Sequence, residues 1–237
     1  MAFFGGAYMT LPISARLLAC ARLVHPGDRV ADVGCDHGYL GIYLLQEKIA
    51  SAVLACDVKE MPLLSALSNS RKFGVEGNMR FFQSDGLRSV PRDFDCLVCA
   101  GMGADTILSI LEGAPWLRGG SYRLILQCQS KTPMLREYLS GNGWQIAQEE
   151  VLQDKTFLYT VMEVLWQPDA PRLTPGQTYF PPILTGNPPP LREAYLRRVV
   201  YLLQTSVRGK AERASEFQQQ ALHELLQICS EEGAAIL

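Results

Sequence analysis

Apolar positions along this chain keep two alternating rhythms. Residues 13–24 place Ile13, Leu17, Leu18, Ala21 and Val24 at helical spacing, and Pro26-Gly27-Asp28 stops that helix. Residues 29–33 read as a short strand, which turns sharply at Gly34 into a helix starting near Gly38. Residues 52–56 are continuously apolar, as suits a parallel strand covered on both faces, and Asp57 closes them. The pattern then predicts a helix over 61–73, a strand over 80–83 closed by Ser84-Asp85-Gly86, a strand over 95–100 closed by Gly101-Met102-Gly103, and a helix over 106–111. A strand over 122–127 and a helix over 132–139 follow, then strands over 144–152 and 156–166 joined at Asp154-Lys155. Strand–helix alternation ending in a hairpin predicts a doubly wound sheet with one antiparallel strand.

The rhythm changes at Gln167. Residues 167–190 are rich in proline and read as an extended linker or strap. Beyond them, Leu191, Tyr195, Leu196, Val199, Leu202 and Leu203 mark one amphipathic helix, and Phe217, Ala221, Leu222, Leu225, Leu226 and Cys229 mark a second. Two such helices pair as an antiparallel hairpin. The organisation expected is a domain over 1–166, a linker over 167–190 and a helical region over 191–237.

A chain of 237 residues with 48% apolar content suits one full domain plus an appendage. The net charge of −2 gives the whole chain no attraction for nucleic acid, so any such binding needs a local basic face. Over residues 192–213, Arg192, Arg197, Arg198, Arg208, Lys210 and Arg213 outweigh Glu193 and Glu212. That excess suits a phosphate backbone and is equally what a solvated helix face looks like. No run approaches a membrane span, and residues 1–18 lack the features of a signal peptide. Cysteines 20, 35, 56, 96, 99, 128 and 229 mostly sit in apolar, strand-like contexts and read as reduced core residues of a cytoplasmic protein. Cys96 and Cys99 form a lone C-x-x-C on a strand, where they face opposite sides, and no second pair completes a metal site.

Candidate chemistry gathers at the predicted strand ends, where ligands of doubly wound sheets bind. Asp32, Gly34 and Gly38 form D-x-G-x-x-x-G, which resembles a variant of the glycine-rich first loop of S-adenosylmethionine-dependent methyltransferases. Asp32 and Asp36 bracket the turn and would repel a pyrophosphate, so a cationic ligand fits better. Asp57 ends the second strand, placed to accept from ribose hydroxyls. Asp85 ends the third, where a carboxylate can accept from an adenine amino group. Gly101 and Gly103 end the fourth, facing a transferred group. An isolated Asp at a strand end is ordinarily a cap or turn residue; three at successive ends are harder to dismiss. His37 reads either as a helix-start histidine bonding the backbone or as a ligand contact, and Tyr39 either stacks on a ligand or packs the first helix.

The segments D-V-G-C-D-H-G-Y-L, S-D-G-L, A-G-M-G and L-I-L-Q resemble the bacterial tRNA (adenine(22)-N1)-methyltransferases of the TrmK type over residues 11–166. The paired helices are similar, more loosely, to that family's coiled-coil region. The resemblance implies a class I S-adenosylmethionine-dependent methyltransferase fold, α/β and Rossmann-like, with seven strands, one of them antiparallel, and a small C-terminal helical hairpin. It implies S-adenosyl-L-methionine as cofactor, tRNA as partner through the basic helices, and no metal. It implies a cofactor site of Asp32, Gly34, His37, Gly38, Tyr39, Asp57, Val58, Asp85, Gly86, Ala100 and Gly101, and catalytic roles for Asp36, His37 and Met102. Where the family commonly has L-Q-P-N, this chain has Leu126-Gln127-Cys128-Gln129, which bears on base binding. Asn187-Pro188-Pro189-Pro190 is similar to the N-P-P loop of amino-directed adenine methyltransferases but lies in the linker, not after the fourth strand.

Methyl transfer to N1 of adenine requires no strong base, because N1 carries a lone pair, and positioning dominates. Two rival readings fit the same residues: a small-molecule methyltransferase on this fold, and a non-catalytic cofactor-binding protein that meets partners through its hairpin.

Overall fold

The computed structural model describes residues 10–209 and 215–231 of the chain, so Lys210 and Arg213 lie outside the described residues. Helix α1 (Ala15–Leu23) is followed by β1 (Arg29–Val33), α2 (Tyr39–Gln46), β2 (Ala52–Asp57), α3 (Glu60–Lys72) and β3 (Met79–Gln83). Then come β4 (Cys96–Gly103), α4 (Ala104–Glu112), β5 (Arg123–Ser130), α5 (Thr132–Gly141), β6 (Trp144–Asp154) and β7 (Phe157–Trp166). The C-terminal part adds α6 (Pro175–Tyr179), α7 (Pro189–Gly209) and α8 (Glu216–Glu231).

The strands form one sheet in the order β3-β2-β1-β4-β5-β7-β6, and β7 alone runs against its neighbours. Continuous apolar strands are explained by two covered faces. Ala31, Val33, Leu54, Cys56, Leu97 and Cys99 face α4 and α5. Val30, Val53, Ala55, Cys96 and Val98 face α1, α2 and α3. Successive residues thus alternate between two cores rather than between core and water. All seven cysteines are buried, and none is in a disulfide.

The fourth strand outruns the sequence pattern. β4 continues through Gly101-Met102-Gly103, where its pairing with β5 shifts register at Ala100/Met102 and again at Met102/Gly103. These irregularities bend the strand without ending it, so residues read as a closing loop belong to the sheet rim.

The stretch 167–190 differs from an extended linker. It carries α6, opened by Thr174 with a capping box to Gln177, and a 3-10 turn over Pro182–Gly186. Phe180 and Leu184 are fully buried against Val151, Leu196, Val200, Leu203, Ala221 and Leu225. Asn187 accepts from the Val151 N–H at 2.7 Å and donates to the Glu149 carbonyl at 2.9 Å, pairing with the outer edge of β6. Helix α7 therefore begins at Pro189, two residues before the apolar periodicity starts. Proline suits a first helical turn, where its missing N–H would have no partner. The Asn-Pro-Pro-Pro segment is an edge cover and a helix start.

Arg136 on α5 and Glu149 on β6 form a fully buried ion pair, Nη2 to Oε1 at 2.6 Å. Arg136 Nη1 donates to the Thr178 and Tyr179 carbonyls at 2.9 Å each, and Nη2 to the Tyr195 hydroxyl at 3.2 Å. One guanidinium therefore joins the sheet, the proline-rich stretch and α7.

Candidate active site

The chain reverses its winding direction at β1, whose neighbours are β2 and β4. At the carboxyl end of β1, Gly34 adopts φ 73°, and the Gly34 and Cys35 amides donate to the Cys56 carbonyl at 2.8 and 3.0 Å. Asp36 follows at φ 49°, a conformation that short polar side chains tolerate best after glycine. The turn opens a cavity of about 420 Å³ lined by Asp32, Gly34, Asp36, Gly101, Gln127 and Gln129 among others. A second, of about 350 Å³, is lined by Val58, Asp85, Gly86, Met102 and Ile110. Gly34 and Asp57 line both. A Cβ at Gly34 would collide with the Met102 methyl group, so glycine is required for space as well as for conformation.

Asp32 has the same strand parity as Val30, which puts it on the α1–α2 side of the sheet, between Ala55 and Val98. It is 4% exposed, and its Oδ2 has no hydrogen-bond partner. Burial raises its pKa to about 7, and the Asp57 charge adds to the rise, while the Gly41 N–H pulls the other way. A buried carboxylate in the wall of a cavity, with one oxygen unpartnered, is suited to a cationic group of a ligand.

Asp57 is held by backbone amides: Lys59 N–H to Oδ1 at 2.9 Å and Asp36 N–H to Oδ2 at 3.3 Å. Asp85 pairs with Arg88 at 3.1 Å, both exposed, an interaction that fixes little. His37 Nε2 lies 3.6 Å from Asp36 Oδ1, and its ring sits 5.7 Å from that of Tyr39. Its carbonyl accepts from Asn69 at 3.0 Å, leaving the ring at the mouth of the first cavity.

Asp32, Gly34, Asp36, His37, Tyr39, Asp57, Ala100 and Gly101 thus meet around the first cavity, and Val58, Asp85, Gly86 and Met102 around the second. Gly38 joins neither. Its N–H donates to the Cys35 carbonyl at 2.7 Å, and a Cβ there would come within 2.9 Å of Ala66 Cβ. Gly38 lets α2 approach α3; it does not face the ligand space.

Two lining residues do not stand out as single site residues in the sequence: Arg16 is not picked out, and Gln127 figures only within Leu126-Gln127-Cys128-Gln129. Arg16 on α1 donates through Nε to Asp154 at 2.7 Å, and its guanidinium lies 5.3 Å from the centre of the Tyr159 ring. The only hint is a charge among apolar positions of the first helix. Gln127 is fully buried and accepts the Gly101 N–H at 3.0 Å, which holds the bulged end of β4 in place. A glutamine inside an otherwise apolar strand is the signal for it.

Burial pushes the Cys56 thiol up to about 12, with Asp32 adding to the rise, and raises Cys35 and Cys99 further. These thiols are inert as nucleophiles. Among the described residues no group of three His, Cys, Asp or Glu side chains is placed to hold a metal ion, and no helix is long and apolar enough to cross a membrane.

Of the basic tail residues, Arg192 donates to the Thr185 carbonyl at 2.9 Å and Arg197 pairs with Glu193 at 3.6 Å. Arg198 and Arg208 are exposed.

Residues 13–162 match the family model described as a methyltransferase domain. The tRNA (adenine(22)-N(1))-methyltransferase of Bacillus subtilis is 32% identical over 153 residues, covering 64% of this chain and 64% of that protein. The chain spans less than two thirds of the length of such curated relatives. The crystal structure of the B. subtilis m1A22 tRNA methyltransferase TrmK superposes with a TM-score of 0.76 at 26% identity, covering 96% of this chain and 100% of that one. The structure of M. capricolum TrmK in complex with S-adenosyl-homocysteine superposes at 0.72 with 25% identity, covering 94% and 97%.

Proposed function

Since this chain belongs to the methyltransferase-domain family, and within it to the TrmK family, we propose that it methylates N1 of an adenine in tRNA, adenine 22, using S-adenosyl-L-methionine. The observation that carries this reading is the pair of cavities sharing Gly34 and Asp57, with Asp32, whose buried Oδ2 has no partner, in the wall of the first. An acidic cleft in two compartments fits a ligand that is cationic at one end and a nucleoside at the other. Asp32 would take the ammonium group, Asp57 the ribose hydroxyls, and Asp85 with Val58 and Gly86 the adenine. Gly34, Ala100 and Gly101 give backbone clearance, His37 and Tyr39 edge the mouth, and Met102 is the apolar wall between compartments.

S-adenosylmethionine supplies a methyl group activated on a sulfonium. The chain's own part is placement and charge. The N1 lone pair is the nucleophile, so no base is needed for bond formation, and alignment accounts for ~7–11 kcal/mol of barrier. Asp36, exposed at the mouth beside His37, is placed to favour the positive charge that develops on the adenine ring. N1 is blocked in a duplex, so the base must be met unstacked. The division of labour follows the chain: 1–166 methylates, 167–190 covers the edge of β6 and leads into α7, and the basic stretch 192–213 of the helical region 191–237 holds the phosphate backbone through Arg192, Arg197, Arg198, Arg208, Lys210 and Arg213. A tRNA substrate fits a cytoplasmic protein.

The test is incubation with unmodified tRNA transcripts and labelled cofactor, followed by mass spectrometry of the nucleosides and mapping of the modified position. The reading expects 1-methyladenosine at position 22. Methylation of another position or atom, or no transfer to any tRNA, would overturn it.

A further inference from the structure

Another groove of the described surface lies outside the cleft above. It has a volume of about 630 Å³ and lies between the β5–α5 loop, β7 and one face of α7. That volume falls within the ~300–1,000 Å³ of small-ligand pockets. On α7 the lining residues Tyr195, Arg198, Leu202 and Ser206 recur every three or four positions, so a single stripe of the helix faces inward. Tyr159 and Tyr179 add aromatic rings to the wall, and Gln218 reaches it from α8.

The groove adjoins the methyl-transfer cleft. Gln129 lines both spaces, and the Arg16–Tyr159 stack separates them, with Arg16 on the cleft side and Tyr159 on the groove side. The cations at the groove differ in freedom. Lys131 is engaged by Asp105 at 2.7 Å, whereas Arg198 is exposed and enters no ion pair among the described residues. Aromatic faces for stacking, side-chain amides and hydroxyls for base edges, and a cation at the lip are the features that take an unstacked nucleotide.

We infer that this groove is a second nucleobase site, which receives a nucleotide flanking the target adenine when that adenine enters the cleft. The inference rests on the tRNA reading above and deepens it: the substrate must offer two consecutive unstacked nucleotides, one for each space. A flat phosphate-binding face would need no such groove beside the reacting base.

The experiment compares the wild type with Ser206→Trp, which fills the groove from α7 without touching the cleft. The substrates are intact tRNA and two tRNAs that lack the base on one side or the other of the methylated adenine. The inference expects Ser206→Trp to raise KM for intact tRNA at least ~10-fold, the loss of one base-stacking contact, with cofactor affinity and melting temperature unchanged. One abasic tRNA should show the same rise with the wild type, and on that RNA Ser206→Trp should add nothing. Wild-type KM in folded Ser206→Trp overturns the inference. So does a loss of equal size on all three RNAs, which would mark a general backbone or protein-partner surface. Val199→Phe gives the same reading if the tryptophan variant fails to fold. Methylation of no tRNA removes the parent reading together with this one, whereas methylation indifferent to the groove removes this one alone.

Discussion

Asp32→Asn is the sharpest probe of the cleft. In the folded chain burial holds the Asp32 carboxyl near pH 7, against an ordinary value of 3.8. The folded value lies above the unfolded one, so folding favours the protonated form. Stability is fully present below about pH 4 and is lost as pH rises through 7. Between pH 5 and pH 7 the folded state keeps its proton while the unfolded chain has released it. At 1.36 kcal/mol per pH unit that interval costs the wild type about 3 kcal/mol. Asparagine does not titrate, so the variant escapes this cost. Its absolute stability also includes about 1–3 kcal/mol for a new unpartnered amide N–H at the Oδ2 position. The difference between pH values removes that constant: Asp32→Asn should gain about 3 kcal/mol relative to wild type between pH 5 and pH 8. A cationic ligand group would pull the Asp32 pKa back down, so cofactor binding should release a proton and strengthen up to tenfold per unit as pH rises toward 7. The variant should bind weakly and with little pH dependence. Urea denaturation at the two pH values and calorimetry in buffers of different ionisation enthalpy measure both effects. A constant stability difference, together with wild-type affinity that is flat from pH 5.5 to 8, would refute the placement of Asp32.

Three further outcomes are expected. Asp57→Ala should weaken cofactor binding by about 1–3 kcal/mol by calorimetry, since two backbone amides hold that carboxylate at the junction of the cavities; unchanged affinity in a folded variant would count against it. Asp36→Asn should lower single-turnover methylation about 10²–10³-fold at saturating cofactor with nearly normal cofactor affinity, and a normal rate in a folded variant would exclude the electrostatic role. Arg136→Met should cost about 3–5 kcal/mol in denaturant melts, because Glu149 would be left buried without its partner; a loss below 1 kcal/mol would mean that water reaches the pair.

The sheet was legible because its faces are both covered: apolar runs at 29–33, 52–56 and 95–100 have no other stable use, and the helical periodicity between them fixes the crossovers. The acidic strand ends were legible for the same reason, since Asp32, Asp57 and Asp85 stand at or just past the ends of the strand runs and come to line the two cavities. The rim of β4 was not. Gly101-Met102-Gly103 reads as a turn, and only pairing with β5 makes it a bulged strand held by Gln127. Gly38 reads as part of a glycine loop until Ala66, from another helix, is seen to fill the space beside it. Arg16 comes from a helix more than a hundred residues away in sequence from Asp154 and Tyr159, so no local pattern could connect them.

The C-terminal part shows the limit of reading boundaries from composition. Proline density at 167–190 describes a chain that cannot extend a helix or a sheet ladder, but it says nothing about where that chain lies. Phe180 and Leu184 are buried as deeply as any residue of the sheet, and the Thr178 and Tyr179 carbonyls complete the hydrogen bonds of Arg136. A chain ending after Trp166 would keep every residue of the cleft, yet it would uncover Val151 and leave the Arg136–Glu149 pair open on one side. Such a truncation should therefore lose more than its hold on RNA. Its melting temperature should fall, and its cofactor affinity should weaken with it, because α5, held to α6 through Arg136, directly follows the end of β5, where Gln127 and Gln129 line the cleft. A truncated chain that melts with the full-length protein would show that the stretch is a tether after all. If instead the single substitution Arg136→Met reproduces the truncation's loss of stability while tRNA affinity survives, then structural support and RNA binding by the helical region are separate contributions.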